Sequence, residues 1–212
     1  MQPAVTNKYP VTLVTRSPDR YDRVQVLLRI LVLALVAALH LTVGAAFGTL
    51  YLLLPIAAAV LIARKERPGF FERDARFLND VIDWVVAFYA YLLFVTDRFP
   101  LEARNRGVSV LVQPGAVPTP ARALLRFLTS LPHALVLGIF GIACGLVALV
   151  SGFTVLFTER VPESLRAFQR DVLAWMARVL AYHASLVDRY PPFALGANDT
   201  ALPGRDRTHA PG

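Results

Sequence analysis

A stretch of 24 residues occurs twice in this chain. Offset by 91 positions, Phe77 to Pro100 overlies Phe168 to Pro191. Nine positions are identical: Phe77/Phe168, Asp80/Asp171, Val81/Val172, Trp84/Trp175, Ala90/Ala181, Tyr91/Tyr182, Asp97/Asp188, Arg98/Arg189 and Pro100/Pro191. Each copy follows a long apolar run without charge, Ile30 to Ala63 (34 residues) and Phe127 to Thr158 (32 residues). A duplication of this kind limits the fold to one unit used twice. The expected division is a first membrane repeat over 9–102, a second over 108–195, and a disordered tail over 196–212.

Composition places both units in a bilayer. The chain is 56% hydrophobic and 17% charged, against about 25% charged in soluble domains. About 20 apolar residues cross a membrane, so each run is too long for one untilted crossing. Neither resembles a cleaved signal peptide, whose apolar stretch is short and near the start. The net charge is +7, from 22 basic and 15 acidic residues. Because the arginines flank apolar runs, they read as positive-inside anchors touching anionic lipid. No groove-reading or base-stacking module is visible, so nucleic acid is not an expected partner. Cys144 is the single cysteine. It excludes a disulfide framework within one chain and reads as a small buried hydrophobe.

Alternation over Pro10–Thr15 and Val108–Val112 predicts two short strands, which would pair outside the bilayer and fasten the copies together. A helix should begin near Arg20 and run into the apolar stretch. Gly44 and Gly48 mark a reversal or a close helix contact, and Pro55 a kink. Pro114, Pro118 and Pro120 predict a stiff, irregular linker. Leu124-Leu-Arg126 echoes Leu27-Leu-Arg29, and Glu159-Arg160-Val-Pro162 echoes Glu66-Arg67-Pro68. Arg29 with Arg64-Lys65, and Arg126 with Arg160, bracket the two runs. If each run is a helical hairpin, all these charges lie on one side of the membrane.

Within the duplicated segment, Phe77, Val81, Trp84, Phe88, Tyr91 and Val95 form one helical stripe. Phe168, Val172, Trp175, Val179, Tyr182 and Leu186 repeat it in register. Trp84, Tyr91, Trp175 and Tyr182 are therefore expected to pack the helix against its own hairpin. The other faces differ. The first helix ends apolar all round and should be deeply buried. The second carries Arg166, Arg170, Arg178, His183 and Ser185 and should be amphipathic and interfacial. Its three arginines are candidates for lipid headgroups.

The repeated Asp-Arg-aromatic-Pro closes each copy. Asp97, Arg98, Phe99 and Pro100 match Asp188, Arg189, Tyr190 and Pro191. The pattern reads as a helix end at the membrane surface: the prolines stop the helix, the aromatics sit among headgroups, and Arg98 and Arg189 meet C-terminal carbonyls and lipid phosphates. A partner-docking role is the functional alternative. His40, His133 and His183 lack metal-ligand spacing and read as neutral and hydrogen-bonded. Asp80 and Asp83 share a helix face but read as solvated or arginine-paired. No nucleophile elbow, phosphate loop, zinc motif or dinucleotide fingerprint is present, and no cofactor or metal is expected.

The second copy contains Arg126-Phe-Leu, Leu131-Pro-His133, a glycine-punctuated run, Leu156-Phe-Thr-Glu-Arg160, Trp175, Ala181-Tyr182 and Asp188-Arg-Tyr-Pro-Pro-Phe193. This pattern resembles the bacterial membrane family called domain of unknown function 4389, well over about 120–195 and more loosely over 9–102. The first copy lacks a match to Pro132-His133, the second proline and the final phenylalanine. The resemblance implies location and architecture but no chemistry.

The expected architecture is all-α and membrane-integral: two tandem repeats, each a short strand, an apolar helical hairpin and a long amphipathic or interfacial helix. The expected function is a non-enzymatic accessory or scaffold subunit of a bacterial inner-membrane assembly, multi-pass, touching anionic lipids and other membrane proteins or a second copy. One alternative is a lipid-interacting or lipid-transport protein. Another is a membrane enzyme acting on lipid through Asp80, His133 or His183.

Overall fold

A computed structural model describes residues 9–38, 43–64, 74–101, 107–113, 115, 119–196 and 199–201. The chain is mostly helical. In order, the elements are β1 (Val11–Thr15), α1 (Arg23–Ala38), α2 (Val43–Arg64), α3 (Ala75–Leu92), β2 (Val108–Val112), α4 (Pro120–Thr129), α5 (Leu131–Thr158), α6 (Glu163–His183) and β3 (Asp199–Ala201).

The expected strands form and pair. β1 runs antiparallel to β2, with Leu13 opposite Val110. Val11 and Leu13 of β1, and Val108 and Val110 of β2, point into the core, as period-two alternation requires. The tail departs from expectation over residues 199–201. They form β3, which pairs parallel with the other edge of β1 and satisfies backbone groups an edge strand leaves open. Residues 202–212, His40 and the first eight residues lie outside the described part.

The second apolar run is not a hairpin. α5 is one continuous helix of 28 residues, about 42 Å long at 1.5 Å per residue. Its glycines do not turn the chain, because 138, 141, 145 and 152 fall three, four and seven residues apart, along one helical stripe. The break falls earlier, at Ser130, where Pro132 in the first turn of α5 needs no hydrogen-bond donor. Pro120 likewise opens α4 rather than sitting in an irregular linker; Thr119 caps that helix, its hydroxyl accepting from the Arg122 amide at 3.4 Å. The first run divides into α1 and α2, with residues 39–42 between them outside the description, and Pro55 lies inside α2 without ending it.

Packing is reciprocal across the halves. α1 packs on α5, and α2 on α4; α3 packs on β2, and α6 on β1; α3 and α6 pack on each other. The apolar end of α3 is buried as expected, at Val85, Val86, Ala87 and Tyr89 to Leu92, but the second helix, expected at an interface, is buried too. Every residue of the second copy from Val172 to Val187 is buried, whereas α3 leaves Phe77 and Trp84 exposed. The reason is neighbours: α6 is enclosed by α2, α3, α4, α5 and β1.

Candidate functional site

The helices α3 and α6 end alike. Phe94 and Ser185 both take the left-handed conformation, at φ 59° each. Just beyond, the Val95 amide reaches back to the Ala90 carbonyl at 2.9 Å, and the Leu186 amide to Ala181 at 3.0 Å. These six-to-one bonds close a helix C-terminus when the residue before them turns left-handed. Both left-handed residues carry a side chain, so each turn is held against a conformational penalty.

An arginine from another helix latches each end. Arg29 of α1 donates from Nε to the Tyr91 carbonyl at 2.7 Å, and from Nη2 to the Thr96 carbonyl at 2.8 Å and Asp97 Oδ1 at 3.0 Å. Its guanidinium lies between the rings of Tyr91 and Phe94, 4.3 and 4.1 Å from their centroids. Arg126 of α4 donates from Nη1 to the Tyr182 and Val187 carbonyls at 2.8 and 2.6 Å, and from Nη2 to Asp188 Oδ1 at 2.8 Å. It lies 4.5 Å from the Tyr182 ring centroid. Burial of these arginines is tolerable because each meets carbonyls, a carboxylate and aromatic faces together.

This arrangement corrects the reading of the closing motif. The arginines that meet the helix-end carbonyls are Arg29 and Arg126, not the exposed Arg98 and Arg189. Arg29 and Arg126 are both buried rather than spread on the surface. Asp97 and Asp188 serve as latch acceptors, and Asp97 Oδ2 also accepts the Asp22 amide at 2.7 Å. Pro100 and Pro191 are buried. The Arg189 carbonyl accepts from the Tyr9 hydroxyl at 2.8 Å, and the Tyr190 hydroxyl donates to the Thr129 carbonyl at 3.0 Å.

The equivalent tryptophans have different fates. Trp84 is 43% exposed and stacks on Phe88 within its own helix, so it does not pack inward. Trp175 is buried and donates from its indole to His133 Nδ1 at 3.0 Å. An acceptor at Nδ1 places the proton of a neutral imidazole on Nε2. Phe193 stacks on the His133 ring at a centroid distance of 3.8 Å, with Tyr190 at 5.0 Å. Thus Pro-His, Trp and Tyr-Pro-Pro-Phe, far apart in sequence, build one aromatic cage. The first copy has no match in sequence to Pro132-His133 or to Phe193, and among the described residues it builds no such cage.

The headgroup arginines are also reassigned. Arg178 is 1% exposed and donates to the Ala194 carbonyl, so it cannot present its charge to a membrane surface. Arg166 and Arg170 both pair with Glu163. Arg166 additionally reaches the Pro18 carbonyl at 3.4 Å.

Of the enzyme candidates, Asp80 is exposed on α3, while His133 and His183 are fully buried. Asp83 accepts the Val110 amide at 2.7 Å, tying α3 to β2. Ser130 Oγ lies 3.3 and 3.2 Å from the two ring nitrogens of His183. An oxygen equidistant from both cannot align with either lone pair, so His183 is poorly placed to take its proton. That hydroxyl instead donates to the Arg126 carbonyl at 2.6 Å, and Tyr51 Oη lies 2.9 Å from it. Among the described residues no His, Cys, Asp and Glu side chains gather into a metal-holding group.

Burial first, and then the nearby Arg126 charge, push the His183 imidazole down to about 4. In the unfolded chain it takes a proton near the ordinary value of about 6.5. The stabilising contribution of neutral His183 is therefore complete above about pH 6.5 and is lost as pH falls toward about 4, amounting to about 3 kcal/mol. Thermal unfolding in detergent at pH 7.5 and pH 4.5 should show a larger fall in Tm for the native chain than for His183→Asn. Equal falls would remove His183 as the source.

An apolar groove lies beside the first latch, with a volume of about 730 Å³. α1 and α5 form its sides, with the end of α3 and part of α6 beneath.

Residues 120–194 match the family model described as Domain of unknown function (DUF4389). The match covers α4, α5, α6 and the aromatic segment after them, and so includes the Arg126 latch and the whole His133 cage. No curated protein and no solved structure matches the chain.

Proposed function

We propose that the chain is an integral protein of the bacterial inner membrane, built from one repeat used twice, and that it serves as a non-enzymatic accessory or scaffold subunit. The observation that carries this reading is α5. It is long and apolar enough to cross a membrane, yet only six of its 28 residues are buried within the protein. The core helix of a soluble protein hides its apolar side chains; α5 leaves Leu135, Ile139, Ile142, Leu146, Phe153 and Phe157 exposed. A surface of that kind belongs against lipid or another membrane protein. α2 supplies a second candidate span, Phe47–Arg64. The reciprocal contacts and the two matched latches support the repeat.

The scaffold role rests on what the polar groups do. The latches and the Ser130–His183–Tyr51 cluster spend their hydrogen bonds on helix ends and seams. The test is extraction of the tagged native protein in mild detergent, followed by mass spectrometry of co-purifying chains. Stoichiometric protein partners are expected. A chain that stays soluble without detergent would overturn the membrane location, and one that purifies alone from detergent would overturn the subunit role.

A further inference from the structure

We infer that the groove between α1 and α5 holds an acyl chain of one membrane glycerophospholipid, with an ester or phosphate oxygen of that lipid accepting from Arg29 Nη1. This rests on the membrane location proposed above but not on any protein partner.

The groove is built rather than incidental. Its volume of about 730 Å³ falls within the roughly 300–1,000 Å³ of ligand pockets. Gly138, Gly141 and Gly145 of α5 line it, and a Cβ at any of them would meet nothing within 4 Å. These glycines are therefore not needed for helix contact; what they leave is space. The lining runs along α5 from Ala134 to Leu156, a span of about 33 Å at 1.5 Å per residue. That is close to the thickness of a hydrocarbon core, about 30 Å.

The reciprocal seam provides an internal comparison. Between α2 and α4 lies the buried side chain of Tyr51. Its hydroxyl donates to the Phe127 carbonyl at 3.1 Å, and its ring lies 4.1 Å from that of His183. One seam is closed by an aromatic side chain; the other is floored with glycine and left open.

Chemistry at the two ends selects an amphiphile. Among the described residues Arg29 is the one charged residue in the lining, and it is 2% exposed. Its Nε and Nη2 are used by the latch, whereas Nη1 has no acceptor among the described residues. A buried guanidinium N–H without an acceptor is costly, so a ligand oxygen there is favoured. Beyond Arg29 the same end becomes polar, with Arg23 and Glu159 paired at 3.2 Å. Away from it the walls are apolar. Exposed Ile30, Leu33, Ile142, Leu149 and Phe153 edge the opening, so the groove faces the surface assigned to lipid. A head at the latch and a chain along α5 satisfy both parts.

The experiment uses the full chain, purified in detergent, delipidated, and exposed to dioleoylphosphatidylglycerol before native mass spectrometry. The native chain should retain one lipid per protein after detergent removal of loosely held molecules. The double variant Gly141→Leu, Gly145→Leu should retain at least tenfold less, with unchanged helicity, because the new side chains enter open space and leucine favours a helix more than glycine. A straight-chain alkane of matching length should not displace the lipid. Loss of lipid to the alkane would overturn the role of Arg29. No retained lipid, or equal retention by the leucine variant, would overturn the site. A native dimer that the leucine variant converts to monomer would make a second copy the occupant and also overturn it. A protein that needs no detergent would instead sink the membrane reading itself.

Discussion

Replacing Arg29 by alanine is expected to destabilise the protein by about 3–5 kcal/mol, as removal of one partner from a buried ion pair does. Three acceptors each lose a donor at once: the Tyr91 and Thr96 carbonyls and the Asp97 carboxylate. The side chains of Arg29 and Asp97 are only 2% and 14% exposed, so water cannot readily replace the lost contacts. Arg126→Ala should cost less, although its carbonyl bonds are equally short. Asp188 is 61% exposed and can rehydrate when its partner leaves. Arg98→Ala and Arg189→Ala should each change stability by no more than about 0.5 kcal/mol, as exposed substitutions usually do. Chemical unfolding of the four variants in one detergent tests this order. If Arg98 or Arg189 proves as damaging as Arg29, the latch assignment is wrong.

The second large effect concerns the two tryptophans. Trp175→Ala should destabilise by about 3–5 kcal/mol, the usual range for removing a buried large aromatic. It also deprives the fully buried His133 of the donor to its Nδ1. Trp84→Ala, at the matching position of the repeat, should cost less than about 1 kcal/mol, because Trp84 is 43% exposed and touches chiefly its own helix. Thermal unfolding of both variants decides the matter. Equal shifts would mean that the shared sequence position, rather than the environment, governs the role.

These contrasts show where the sequence could be read and where it could not. Both strands were legible because alternation reports one buried face directly. The matched helix ends were legible as identical residues, and the Leu-Leu-Arg echo pointed at both latch arginines without revealing their acceptors. A guanidinium with its carboxylate partner more than 60 residues away in sequence looks like a surface charge until another helix end arrives beside it. The same blindness misplaced Arg178, whose acceptor is the Ala194 carbonyl 16 residues on. The burial of α6 escaped the sequence for a related reason. Polar residues on α6 suggested an exposed face, but they turn toward neighbours contributed by four other helices. The hairpin expectation failed for the second run because it rested on the charges bracketing that run, and Arg126 answers to a buried helix end instead.

The exchange of partners between the halves has a consequence for how the chain is made. When residue 92 has left the ribosome, α1, α2 and α3 all exist, yet the elements they cover, α5, α4 and β2, do not. The first half must wait with its apolar surfaces uncovered until the second half is inserted. Folding is therefore a late, concerted closure rather than a sequential one, and its slow step is the meeting of distant segments. A chain stalled after α3 should be degraded faster than the full chain. The same two halves supplied as separate polypeptides should find each other, because each carries the surfaces that the other lacks.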